Sequence, residues 1–266
     1  MPINRHAQPE TDRMETLFNT LVLFHIAVGS IGLTSFWVPV VARKRRGLHT
    51  QAGKVFAYAM LATALSAALA ALLTLLAPLA THPEISSRYA NNLRAVNGLM
   101  LLYLAAITFA AAFTGLKAAR LKRRWGAHRE RLETAIHGSA FVLAIAVLLV
   151  GWQRGSWLMM GLSLIGLLGT PGTLRRILNR PNQGMEWKYQ HMGAMLAAGI
   201  AAHTAFLVFG AGRFVDSSLG NSIWVWLAPT LIGVPAIALW TRIHRRRDAG
   251  INDHLRRQAA PLEVQP

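Results

Sequence analysis

Four histidines interrupt long apolar stretches of this chain: His25, His137, His191 and His203. An imidazole can ligate a metal or a haem iron, carry a proton, or hydrogen-bond a neighbouring helix. Ionisable groups are costly inside a bilayer, so these positions are where chemistry is sought first. At about 1.5 Å of rise per residue, His25 lies roughly 12 Å inside the outer end of its stretch and His203 about 10 Å inside its own. The two are read as matched in depth. His137 and His191 sit near the opposite face, roughly 8 Å and 3 Å in. Two histidine pairs at two depths are what a membrane di-haem cytochrome of b type needs, since each iron takes axial imidazoles from facing helices. Gly29 follows His25 by four residues and Gly199 precedes His203 by four. Residues four apart share a helix face, so each glycine would leave room for a flat macrocycle. On this reading His25 and His203 are the outer ligands of haem b and His137 and His191 the inner ones. A quinone or a partner reductase would supply electrons. The competing reading is that each histidine bonds a neighbouring helix and does nothing else.

A second constellation lies near the face where His137 and His191 sit. Glu133 and His137 are four residues apart, Glu186 and His191 flank the start of one apolar stretch, and His49 and His128 end two basic loops. Carboxylate and imidazole together suit a divalent metal such as zinc, so Glu133, His137, His191 and His49 form an alternative metal site. A zinc-assisted hydrolase would place its water there. No His-x-x-x-His or His-Glu-x-x-His pair supports it. Glu130 and Glu133 also suit the first turn of a helix simply as acids near the positive end of its dipole.

Other chemistries are excluded by residue type. The chain has no cysteine, so a disulfide, a thiolate metal site and a cysteine nucleophile cannot form. No Gly-x-Ser-x-Gly elbow or phosphate-binding loop occurs. No Asp, Glu, Lys or Arg is read deep within an apolar stretch, which argues against a pump or transporter built on buried carboxylates.

The elements that must position these residues are transmembrane helices. Charged residues make up 15% of the chain, against about 25% in soluble domains, and the deficit is concentrated in apolar runs. Seven spans are expected: Leu17–Val41, Val55–Ala80, Leu93–Leu116, Leu132–Gly151, Trp157–Thr170, Tyr189–Gly210 and Ile223–Ile243. The fifth is the shortest unless it continues beyond Pro171 to Ile177. Residues 1–16 form an N-terminal segment, 17–247 the seven-helix domain and 248–266 a solvated tail. Small residues crowd the second and sixth spans, which allows close packing where no hydrophobic effect joins helices. Pro229 and Pro235 should bend the seventh.

The net charge of +17 lies in alternate loops. Basic residues from Arg43 to Lys54, Lys117 to Arg131, Arg175 to Lys188 and Arg242 to Arg257 fall on one side. Only Arg5, Arg13, Arg88, Arg94, Arg154 and Arg213 fall on the other. The positive-inside rule puts the N-terminus outside and the C-terminus in the cytoplasm. The same distribution explains the charge without nucleic acid: the basic loops face anionic lipid. The loop at 43–49 also echoes that at 122–128, through either a duplicated hairpin or two basic loops converging on one topology.

The stretch His49-Thr50-Gln51-Ala52-Gly53-Lys54-Val55-Phe56, followed by an alanine-rich run with Met60, resembles a motif in a group of uncharacterised bacterial polytopic membrane proteins. There, His-x-x-x-Gly-basic-apolar-aromatic opens the second span. The likeness covers about residues 21–75 and implies the bacterial inner membrane. The expectation is thus an all-α polytopic bundle in that membrane. It would be a haem-binding electron-transfer protein, a non-catalytic accessory or assembly protein, or a transporter of small solutes.

Overall fold

The computed structural model describes residues 8–41, 47–122, 127–179, 186–211 and 222–259. The basic loop positions 43–46, 123 and 124, the side chains of His128 and Glu130, and Arg213 lie outside the described residues. Seven helices are long and apolar enough to cross a membrane, and no strand occurs among the described residues. They are α1 (Gln8–Val41), α2 (Leu48–Leu76), α3 (Leu101–Leu121), α4 (Ala127–Gln153), α5 (Trp157–Asn179), α6 (Glu186–Ala205) and α7 (Ile223–Ala259). The chain is therefore an all-α, multi-pass helix bundle. A helix satisfies its own backbone polar groups, which is why apolar runs of this length take that form in lipid.

Helix α3 is the hub. It packs against α2, α4 and α6, while α1 lies along α2, α5 along α4 and α7 along α6. The sequence allows this because α3 presents small residues: Ala105, Ala110, Ala112, Gly115 and Ala118 are all buried. One apolar core surrounds Tyr103 with Met100, Val147, Met159, Leu162 and Trp226. A second joins Phe36, Phe56, Met60, Ala112 and Ala198 from α1, α2, α3 and α6. Contact between closely fitted side chains, rather than exclusion of water, holds such cores in a bilayer.

Two π-helical segments were not legible in the sequence. Arg94–Met100 leads into α3 and Phe206–Gly210 extends α6. At Gly98 a Cβ would lie 2.9 Å from the Leu75 Cα, so the wide turn runs against the α2 backbone where only glycine fits.

Several span boundaries move: α1 begins at Gln8, α2 at Leu48, and α3 runs on to Leu121. Helix α5 continues through Pro171 to Asn179, giving 23 residues. That is about 34 Å, enough for a hydrocarbon core of about 30 Å. Helix α7 passes Pro229 and Pro235 and continues to Ala259, so the segment expected as a solvated tail begins as helix. Trp37, Trp152, Trp157 and Trp224 are exposed near span ends, as an interfacial belt requires.

Candidate functional site

Helices α3 and α4 form an antiparallel pair, so residues equally far from their connection meet at one level. Lys117 lies eight residues before Trp125 and Glu133 eight after it. Their side chains form an ion pair, 6% and 1% exposed respectively. Lys117, read from sequence as a loop residue, belongs to the last turns of α3.

Thr114, one turn above Lys117, completes the site. Its Oγ1 donates to Glu133 Oε1 at 2.8 Å and lies 2.9 Å from His137 Nε2. A hydroxyl has one proton to give. That proton goes to the Glu133 carboxylate, so His137 Nε2–H donates to Thr114. The order of donation therefore runs from His137 to Thr114 to Glu133, with Lys117 donating to the other carboxylate oxygen. His137 is thereby assigned its Nε2–H tautomer.

The next residue of α3 receives a third helix. His191 Nδ1 donates to the Gly115 carbonyl at 2.8 Å. A Cβ at Gly115 would lie 2.9 Å from Met195 Cε, so the glycine lets α6 come this close. A shallow cleft borders the network, lined by Thr114, Lys117, Leu121, Lys122, Glu133 and Gln190.

The outer histidines go elsewhere. His25 Nδ1 donates to the Thr63 carbonyl of α2 at 2.9 Å. His203 Nδ1 donates to the Gly199 carbonyl of its own helix at 2.7 Å. The His203 ring packs edge-on against Phe36 and Trp37, with centroids 5.2 Å and 5.4 Å away. Those residues lie eleven and twelve positions beyond His25. By helical rise that is about 16 Å along α1, so His25 and His203 are not level. The room expected beside their glycines is filled: Thr63 Cγ2 lies 3.5 Å from where a Gly29 Cβ would be, and the Phe36 ring lies directly over Gly199.

Of the alternative metal site, Glu133 and His137 both meet Thr114, and His191 bonds the carbonyl of the neighbouring Gly115. His49 Nδ1 donates to the Pro39 carbonyl at 3.2 Å, tying the start of α2 to the end of α1. Both oxygens of Glu133 and Nε2 of His137 are engaged within the network. Among the described residues no group of three His, Asp or Glu side chains could hold a metal ion.

A further polar cluster joins α6 to the extension of α7. Lys188 Nζ lies 2.7 Å from Asp248 Oδ2, and the Tyr189 hydroxyl donates to the same oxygen at 2.7 Å. Arg245 pairs with Glu186 at 2.8 Å and lies over the Tyr189 ring, 4.5 Å from its centroid. Sequence reasoning missed this cluster because Asp248 had been assigned to the tail. Lys117 falls just beyond the expected third span, Leu93–Leu116, and Thr114, inside it, carries no charge to mark it. The signal for the ion pair is the equal spacing of Lys117 and Glu133 about Trp125. Comparison with protein-family models, curated proteins and solved structures finds no match to this chain.

Proposed function

We propose that this chain is a non-catalytic accessory or assembly protein of the bacterial inner membrane, whose histidines act as pins between helices. The observation that carries the reading is that three of the four intramembrane histidines each bond a different helix. His25 joins α1 to α2, His137 joins α4 to α3, and His191 joins α6 to α3. These bonds lie among helices whose association gains nothing from water exclusion, where polar contacts act as glue. The buried Lys117–Glu133 pair fixes the α3–α4 register in the same way. The basic loops set the N-terminus outside and the C-terminus in the cytoplasm, and they face anionic lipid.

The test is unfolding of the detergent-solubilised protein by a denaturing detergent. His25→Ala and His191→Ala should each lose about 0.5–2 kcal/mol of stability, the range of interhelical hydrogen bonds in bilayers. A variant with no loss would show that its histidine is not a pin.

A second reading keeps haem b, on one feature. His25 and His203 each give Nδ1–H to a backbone carbonyl, the arrangement that orients a ligating imidazole and leaves Nε2 for the metal. Each iron would then need an axial partner other than the opposite member of the pair.

A further inference from the structure

The Tyr103 side chain of α3 is fully buried, and its hydroxyl meets the backbone of α5. It accepts from the Gly166 N–H at 2.9 Å and donates to the Leu162 carbonyl at 2.9 Å. Those two groups are the ends of one rung of the α5 ladder, residue i to i−4. A side chain bridging a rung is one of the few identified causes of helix bending. Gly166 is what admits it: a Cβ there would lie 2.8 Å from the Tyr103 oxygen and 3.0 Å from the Ala144 Cβ.

A second break follows at once. Pro171 has no N–H, so the Leu167 carbonyl lacks its donor. The rungs starting at Leu162 and Leu167 are thus both weakened, and Gly169 and Gly172 lie beside the second.

The two halves of α5 differ in anchorage. Before the breaks, Met159, Leu162, Ser163 and Gly166 are buried against the Tyr103 core. After them, only Thr170 and Ile177 are buried in residues 167–179. That second half carries Arg176, whose Nε donates to the Gly172 carbonyl of its own helix at 3.2 Å.

We propose that α5 is a two-part helix hinged at the Tyr103 hydroxyl, and that its second half, 167–179, moves against α4 while its first half stays anchored to the Tyr103 core.

The absence of cysteine makes the test direct, because introduced cysteines are the sole labelling sites. Spin labels at Ser139→Cys of α4 and Leu178→Cys of α5 report on the second half. Ser139→Cys with Leu164→Cys reports on the first. All three positions are exposed. Pulsed electron paramagnetic resonance in lipid nanodiscs should give a broad or two-peaked distance distribution for 139–178 and a single narrow one for 139–164. Tyr103→Phe keeps the ring and lets the first rung close, and Pro171→Ala restores the second. Each should narrow the 139–178 distribution, and the double variant should narrow it most. Equal, narrow distributions for both label pairs in the unmodified background would overturn the hinge. So would a 139–178 distribution unchanged by Pro171→Ala, a substitution that leaves the Tyr103 core intact if Tyr103→Phe fails to fold.

Discussion

Lys117 and Glu133 stand eight residues either side of Trp125 and close on one another in an ion pair buried from solvent. The pair fixes the register of the two helices, because a shift of either by one residue would leave a charge alone. Removing one partner of a buried pair typically costs about 3–5 kcal/mol, whereas replacing both with apolar residues of similar size is often neutral. Lys117→Met and Glu133→Leu should each destabilise strongly in detergent unfolding, and the double variant should recover most of the loss. Additive losses would show that the two charges do not depend on each other.

Thr114 links that pair to His137 through a single hydroxyl. Thr114→Val keeps the shape and removes the bridge. It leaves a carboxylate oxygen and an imidazole N–H without their partner, at about 1–3 kcal/mol. Thr114→Ser should restore most of the stability. If valine is tolerated as well as serine, the hydroxyl does not hold the network.

Gly199 and Phe36 test whether the notch beside His203 is filled by protein. A Cβ at 199 would collide with the Phe36 ring, and overpacking of this kind costs about 1–3 kcal/mol. Gly199→Ala should therefore destabilise the native background and be relieved in Phe36→Leu, a coupling of opposite sign read from a double-mutant cycle. An equal cost in both backgrounds would mean that something other than Phe36 meets the new methyl.

The proposed orientation rests on the basic loops. Ser87 and Arg246 are both exposed and lie at opposite ends of the bundle. In intact bacterial cells a membrane-impermeant maleimide should label Ser87→Cys, and should label Arg246→Cys only after permeabilisation. The reverse pattern would invert the topology.

Seven helices were legible because hydrophobic length is a strong and local signal, and all seven occur. The fifth remained ambiguous at Pro171, since a proline is read locally as a stop while neighbouring helices can hold the chain helical beyond it. The buried ion pair was hidden by the same locality. Lys117 looks like a loop cation until α3 is known to run to Leu121, and only the hairpin register shows that Glu133 faces it. Hydrogen-bond direction was out of reach altogether. That His25 turns to Thr63 while His203 turns to Gly199 depends on helix rotation, which depth along a span does not specify. The depth match between His25 and His203 failed for a related reason, because it ignored how the helices are offset against one another.

The claim that this chain is a non-catalytic protein whose histidines carry no haem is tested most directly by an absorption spectrum. Protein expressed with ample haem and purified in detergent would be recorded oxidised and then reduced with dithionite. The account predicts no Soret band and no reduced α and β bands. A Soret band with sharp reduced bands, lost in part in His25→Ala or His203→Ala, would contradict it and establish haem ligation instead.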